Sequence, residues 1–118
     1  MNKQFLTQFP LAYADSIRFE NSGYTFQITM SNSECKLLVI LKNILTFNFS
    51  KDSLTSDEDW IDIIGITHEY RKPTQQDLRK YSFFSGNINE LPALHIVTFD
   101  GNTVIEVICE EVEVKELG

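Results

Sequence analysis

The stretch formed by residues 94–118 constrains the fold most, because it has the pattern of a β-hairpin. Two runs rich in Ile, Val, Thr and Phe, LHIVTF and TVIEVIC, flank the turn sequence Asp100-Gly101-Asn102. Such a turn between β-branched runs is typical of hairpins. The second run also displays a row of acidic residues, Glu106, Glu110, Glu111, Glu113 and Glu116. A strand that buries valines and displays carboxylates is a rigid support for an acidic contact surface and a poor place for catalysis.

Alternation of apolar and polar residues predicts that most of the remaining chain is also β-structure. Residues 13–19, 24–30 and 45–49 alternate with a period of two, whereas residues 35–41 are apolar on both faces, which favours a central strand. The separating turns are residues 21–23, residues 31–33, and Lys42 with Asn43. These four runs are therefore predicted to form a meander of consecutive hairpins.

The apolar residues of the last predicted strand change parity along its length. They are Ile105, Val107, Cys109, Val112 and Val114. A β-bulge at Glu110 and Glu111 would bring all five onto one face and turn both carboxylates outward. Alternatively, the sheet is buried on both faces up to Ile108 and on one face beyond it. The parity pattern leaves both arrangements open.

Residues 74–81 form the best helix candidate. Thr74 can cap its N-terminus, Asp77 lies near the positive end of the helix dipole, and Leu78 and Tyr81 would face the core. The sequence thus predicts a mainly β protein with a single domain over residues 1–118, about seven antiparallel strands and one short helix near residues 74–81. A curved sheet, a sandwich and a barrel all remain open.

The formal charge of −7 limits the kinds of partner that can be expected. Residues 51–62 and 106–118 each carry a net charge of −4, whereas residues 71–80 carry +3. Direct binding of nucleic acid is not expected, because it requires a broad basic face. A basic protein is the more plausible partner, since complementary charge steers and selects encounters. An acidic surface that only maintains solubility explains the charge equally well.

The cellular compartment is predicted from the N-terminus and the cysteines. Residues 1–10 lack the apolar core of a secretory signal, and no run approaches the ~18 apolar residues that span a bilayer. Cys35 and Cys109 lie in apolar runs, which predicts two reduced, buried thiols. We therefore expect a cytoplasmic protein without membrane association.

Few residues could perform catalysis or hold a metal, so no cofactor, metal site or enzymatic activity is predicted. The sequence contains no Cys-x-x-Cys, His-x-His or His-Glu-x-x-His pattern, and its five glycines are scattered singly. His68 and Tyr70 share one face of a strand predicted over residues 60–70 and could perform acid–base chemistry. More commonly, however, such polar residues merely mark the end of a strand. His95 is predicted to be a hydrogen-bonded structural histidine. Cys35, beside Lys36, is a weak thiolate candidate.

Trp60 directly follows Asp57, Glu58 and Asp59. If exposed, it has the composition of an interface hot spot with a charged rim. If it shares the face of Ile64 and Ile66, it belongs to the core, and the strand parity favours this second interpretation.

The hairpin sequence TFDGNTVIEVICEEVEV resembles the C-terminal hairpin of small acidic bacterial immunity proteins, which neutralise secreted polymorphic and contact-dependent growth-inhibition toxins. The resemblance covers residues 94–115. It implies a cytoplasmic, single-domain, non-enzymatic inhibitor that covers the active site or substrate surface of one toxin, often a basic nuclease. These families share no catalytic residues, so the resemblance assigns no role to an individual residue.

The leading hypothesis is therefore an immunity-type or other protein-binding module that pairs acidic side chains with Lys or Arg of a basic partner such as a toxin nuclease domain. The predicted partner-binding residues are Asp52, Asp57, Glu58, Asp59, Trp60, Glu110, Glu111 and Glu113. An exposed edge strand could add main-chain hydrogen bonds. The alternative is a small-molecule-binding β-barrel or cup lined by Tyr24, Phe26, Phe47 and Trp60.

Overall fold

The computed structural model describes residues 12–51, 61–78 and 90–117, and these contain one antiparallel sheet of seven strands. The strands are β1 (Ala12–Glu20), β2 (Thr25–Ser31), β3 (Lys36–Lys51), β4 (Ile61–Ile63), β5 (Gly65–Arg71), β6 (Leu94–Asp100) and β7 (Thr103–Glu116). Their order across the sheet is β4-β1-β2-β3-β7-β6-β5. The sheet curls strongly into a half-barrel, so the curved sheet is the form adopted among the predicted architectures.

The strand β3 runs without reversal through Lys42 and Asn43, where the sequence predicted a turn. It is 16 residues long and pairs with β7 over most of its length. Asn43 adopts a left-handed backbone with φ +55°, which asparagine tolerates better than most residues. The local irregularity bends the strand, and long-range pairing with β7 keeps it continuous. The predicted four-strand meander is therefore wrong, and β1, β2 and β3 form a meander of three strands.

The concave face of the half-barrel holds the main hydrophobic core. Its buried members are Ala12, Phe26, Ile28, Met30, Leu37, Val39, Leu41, Ile63, Ile66, Val97, Phe99, Ile105, Val107 and Cys109. Val112 and Val114 pack against the same cluster, so all five apolar positions of β7 point inward. Of the two arrangements that the parity pattern left open, the one with all five residues on a single face is observed, with Glu110 and Glu111 both exposed, although β7 carries no register shift at these two residues and Ile108 is buried in a second cluster.

The strand β3 changes its inward face at the same level as β7. Leu41 pairs with Val112 and Ile44 pairs with Cys109, and all four pack in the main core. Because both strands change face together, their register needs no shift at Glu110 and Glu111. The register shift lies in β3 instead, where Leu45 is the extra residue between the pairs formed by Ile44 and Thr46.

Ile64 divides the strand that the sequence predicted over residues 60–70. β4 pairs with β1 at one edge of the sheet, whereas β5 pairs with β6 at the opposite edge. The Ile64 side chain is 63% exposed, and its N–H donates to the carbonyl oxygen of Asp100 at 2.7 Å. Ile63 and Ile66 on either side are buried in the core. The chain therefore crosses from one edge to the other and joins them at one end of the half-barrel.

The predicted helix begins as expected, as α1 (Gln75–Leu78). The Thr74 N–H donates to Asp77 Oδ2 at 2.6 Å, and the Asp77 N–H donates to Thr74 Oγ1 at 3.2 Å, so the two residues cap the helix reciprocally. Leu78 is buried with Leu94 and Ile108 in a second cluster, on the convex face of β6 and β7. Residues 79–81 of the prediction, including Tyr81, lie outside the described residues. No helix in the described part of the chain is long and apolar enough to cross a membrane.

The C-terminal hairpin also forms as predicted. β6 and β7 pair from His95 with Cys109 to Phe99 with Ile105. The turn requires glycine at position 101, because an ideal Cβ there would overlap the backbone of Asp62, lying 2.8 Å from its carbonyl carbon. This close approach brings the β6–β7 turn against β4 and adds a second link between the two edges of the sheet.

Candidate functional site

The predicted acidic surface falls partly within the described residues. Glu110, Glu111 and Glu113 lie in the second half of β7. The other predicted partner-binding residues are Asp52, Asp57, Glu58, Asp59 and Trp60, and they lie outside the described residues. Ile64, whose parity favoured a core position for Trp60, is itself exposed. The described part of the candidate site therefore consists of the second half of β7 and the elements around it.

The second half of β7 has one partner strand in the described part of the chain. β3 pairs with β7 along its whole length, whereas β6 pairs only with the segment between Ile105 and Cys109. Residues 110–116 consequently present one backbone edge on which no described strand lies. Such an edge can take an added strand from a partner, and charged side chains on it suppress unspecific pairing.

The three carboxylates of β7 that the sequence predicted to bind the partner differ in their contacts. Glu113 forms ion pairs with Lys42 at 3.1 Å and Lys115 at 3.4 Å. The hydrogen bond from Lys42, followed by that from Lys115, lowers the pKa of Glu113. Glu110 and Glu111 are exposed, and neither forms an ion pair with a described residue. Their charges are therefore the more available to a cation on a partner.

An open groove, here called the bend groove, lies beside Glu110 where β3 and β7 bend. Its volume is ≈ 400 Å³. The lining residues are Tyr24, Asn43, Ile44, Leu45, Leu91, Pro92, Leu94 and Glu110. The groove exists because β2 begins only at Thr25 and β6 at Leu94, so neither neighbouring strand covers the bend. Sequence reasoning missed it, although the parity change of β7 marks the same position.

Asn43 connects the two strands across the bend. Its Nδ2 donates to Glu110 Oε2 at 3.2 Å, although the two residues are 67 positions apart in sequence. The left-handed backbone of Asn43 and this hydrogen bond place an amide and a carboxylate side by side at the rim of the bend groove. Tyr24, which is 63% exposed, and Leu45 contribute accessible apolar surface to it.

A pair of histidines lies on the concave face of β5 and β6. His68 Nε2 is 2.9 Å from His95 Nδ1, and Tyr70 packs edge-on against His95 with 4.5 Å between ring centroids. His95 is buried and hydrogen-bonded, as the sequence predicted. The sequence could not identify His68 as its neighbour, because that contact depends on the register of β5 against β6. In this hydrogen bond one ring nitrogen donates and the other accepts, and the tautomers of the two rings decide which.

The cysteines have little nucleophilic character in this structure. Both are free thiols, and Cys109 is buried with its Sγ donating to the Glu111 carbonyl oxygen at 3.4 Å. Desolvation, followed by the nearby carboxylates of Glu116 and Glu34, raises the pKa of Cys35. A raised pKa keeps this thiol protonated near neutral pH and therefore disfavours the thiolate role considered for it. Among the described residues, no cluster of three or more His, Cys, Asp or Glu could hold a metal ion.

The aromatic residues proposed to line a barrel interior occupy different surroundings. Phe26 is fully buried and packs against Phe19 and Phe47, with ring centroids 5.2 and 5.0 Å away. Tyr24 is exposed at the bend groove, and Trp60 lies outside the described residues. The region around Phe26 is thus filled by side chains of the protein itself.

The sequence matches no protein-family model and no curated protein. The structure is similar to a crystal structure of an uncharacterized protein from Neisseria gonorrhoeae, with a TM-score of 0.54. The two sequences are 18% identical, and the similarity covers 92% of this chain and 94% of the other. At this level of identity the similarity shows a shared fold.

Proposed function

We propose that this protein is a non-enzymatic protein-binding module whose partner is a basic protein. One observation carries the proposal: the second half of β7 combines a backbone edge without a described partner strand with two exposed carboxylates, Glu110 and Glu111. The valines on its other face anchor this segment to the core, so the surface is rigid before the partner arrives. Rigidity lowers the entropy cost of binding.

Charge and backbone pairing would contribute differently to the complex. An exposed ion pair contributes about 0.2–1 kcal/mol, so Glu110 and Glu111 alone cannot hold a partner tightly. Their main effect is on the association rate, because the field of an acidic surface steers a basic partner toward it. Main-chain hydrogen bonds along residues 110–116 and burial of apolar surface would then slow dissociation.

The specific form that we propose is an immunity-type inhibitor of a basic toxin. The resemblance of the C-terminal hairpin to immunity proteins supports it, as do the charge of −7 and the two acidic segments. In this form the carboxylates, including those of residues 52–59, occupy positions where the toxin would otherwise bind nucleic-acid phosphates. The inhibitor thereby covers the substrate surface of the toxin.

Co-expression tests this proposal directly. The C-terminal region encoded by the reading frame immediately upstream in the source genome is produced with and without this protein. We expect growth to be inhibited without it, and to be rescued together with a complex that co-purifies when it is present. Affinity should fall between about 0.05 and about 0.5 M salt, because screening weakens attraction between exposed charges. Normal growth without this protein, together with no complex, would refute the immunity-type form.

A charge-matched pair of variants tests the surface itself. Replacing Glu110 and Glu111 with Gln should weaken the complex by about tenfold, since each lost ion pair removes up to about 1 kcal/mol. The control replaces Asp15 with Asn and Glu34 with Gln, which are exposed residues outside β7 and remove the same net charge. Equal weakening by both pairs would show that overall charge, and not the β7 surface, drives binding.

A further inference from the structure

The walls and the rim of the bend groove have different chemistry. Its walls are mostly apolar, formed by Ile44, Leu45, Leu91, Pro92 and Leu94. Its polar groups are the neighbouring Asn43 amide and Glu110 carboxylate at the rim, and Tyr24 adds an exposed aromatic ring. A volume of ≈ 400 Å³ is near the lower end of the range for ligand pockets, and it suits one or two side chains better than a large ligand.

The carboxylate of Glu110 decides which occupant fits. An apolar group filling the groove would strip water from a charged oxygen without replacing it, which is unfavourable. An anion would be repelled. A cation with an apolar stem satisfies both parts of the groove, because the stem covers the walls and the charge reaches the rim.

Arginine matches the groups at the rim better than lysine. Its planar guanidinium presents five N–H donors and stacks on aromatic faces. Asn43 already donates to Oε2 of Glu110, which holds the carboxylate at the groove and leaves Oε1 able to accept from a guanidinium. Tyr24 supplies an aromatic ring in the same groove, and a cation over such a ring gains further stabilisation.

We infer that the bend groove is the anchor site for an arginine side chain presented by the partner, with Glu110 as its counter-charge and Tyr24 as its stacking surface. The inference rests on the proposed function, since it names the residue type by which the basic partner is held. It also places the anchor at the start of the β7 edge on which no described strand lies, so an arginine seated there would leave its flanking backbone beside residues 110–116.

The test uses a small probe and the intact protein. The ¹⁵N-labelled protein is titrated with N-acetyl-leucyl-arginine amide, and amide shifts are followed by NMR. The matched probe is N-acetyl-leucyl-citrulline amide, which keeps the shape and removes the charge. We expect shifts centred on Asn43, Leu45, Leu94 and Glu110, with weak affinity in about the millimolar range. The citrulline probe should bind about threefold more weakly, as for loss of one exposed ion pair.

Variants distinguish the groove from the general acidity of the protein. Glu110→Gln should remove the difference between the two probes, whereas Glu34→Gln, an exposed change of equal charge outside β7, should preserve it. Equal binding of both probes to the unaltered protein, or shifts centred on another surface, would overturn the inference. The NMR spectrum of each variant reports directly whether it is folded.

The two proposals fail in different ways. If the partner co-purifies but the arginine probe does not bind the groove, the proposed function stands and the anchor site is wrong. If the probe binds and depends on Glu110 while no basic partner forms a complex, the groove is a site for small cationic ligands and the proposed function fails.

Discussion

The contact between the β6–β7 turn and β4 should determine whether the half-barrel stays closed at one end. We predict that Gly101→Ala strongly destabilises the protein. The added methyl group would overlap the Asp62 backbone and lie 3.4 Å from the Cα of Ile63. Since these are backbone atoms in a core-facing strand, no side-chain rotation can relieve the overlap, and β4 must separate from the turn.

The size of the effect follows from the contacts that this separation breaks. The Asp62 N–H donates to Asn102 Oδ1 at 3.0 Å, and the Ile64 N–H donates to the Asp100 carbonyl oxygen at 2.7 Å. Each such hydrogen bond contributes about 0.5–1.5 kcal/mol. Displacement of Ile63, which is buried in the core, adds a loss of about 1 kcal/mol. We therefore expect the free energy of unfolding to fall by about 3 kcal/mol.

Urea denaturation followed by far-UV circular dichroism measures this change, with Gly65→Ala as the control. Gly65 pairs with Asp100 from the neighbouring strand, so it lies close to the same contact. An ideal Cβ at position 65 meets no atom within 4 Å, so this change should alter stability by less than about 1 kcal/mol. Similar free energies of unfolding for both variants would refute the reasoning that the Gly101 contact holds the edges together.

Three further changes test the helix cap, the core and the bend. The guanidinium of Arg71 holds the pKa of Asp77 at about 2, below its ordinary 3.8, so this stabilisation is complete above about pH 4 and is lost as the pH falls through about 2. Asp77→Asn should accordingly lower the stability by about 1 kcal/mol at neutral pH, after allowance for solvent screening of Arg71, and by almost nothing near pH 2. Thermal melts at the two pH values measure this difference. Phe26→Ala should lower the free energy of unfolding by about 4 kcal/mol in urea denaturation, whereas Phe49→Ala, at a half-exposed position, should lower it by less than about 1.5 kcal/mol. Equal losses of stability would contradict the assignment of Phe26 to the core. Asn43→Ala should lower the free energy of unfolding by about 1–2 kcal/mol, because alanine tolerates the left-handed backbone at this position less well. Asn43→Gly should lower it less, and the reverse order would exclude backbone strain at the bend.

Local patterns were sufficient to predict the elements whose partners are close in sequence. The hairpin of β6 and β7 follows from its turn residues and β-branched runs, and β1 and β2 follow from simple alternation. The cap formed by Thr74 and Asp77 was equally predictable, because it depends on two residues three positions apart. In each case short-range chemistry and the final fold favour the same structure.

The errors occurred where long-range pairing overrides a local signal. Lys42 and Asn43 have the composition of a turn, but pairing with β7, more than 60 residues later, keeps β3 continuous. Ile64 fits the alternation of a strand, yet it is the position at which the chain passes between the two edges of the sheet. The outward direction of Glu110 and Glu111 was one of two arrangements that parity left open. The bend groove was not, because its walls come from four separate parts of the chain.

The extra residue in β3 makes it possible to test whether the irregularity at Leu45 is needed for folding or only for the bend groove. Leu45 has no partner in β7, whereas Ile44 pairs with Cys109 and Thr46 pairs with Ile108. Deleting Leu45 would preserve these pairs and the inward direction of Phe47, so we expect it to cost only about 1 kcal/mol, because a tolerated bulge residue contributes little pairing.

The same deletion should nevertheless impair the site. It removes one wall of the bend groove, so binding of the arginine probe should be lost while the protein remains folded. Deleting Asn48 is the control, because this residue is paired with Glu106 and its loss would turn Phe49 from the concave face to the convex face. That variant should lower the free energy of unfolding by about 1.5 kcal/mol more than the Leu45 deletion, because the half-exposed Phe49 leaves the concave face and the pairing of residues 49–51 with β7 shifts. If both deletions unfold the protein equally, the extra residue is required for the fold itself. The bend could then not be regarded as a feature added to the sheet to form a binding site.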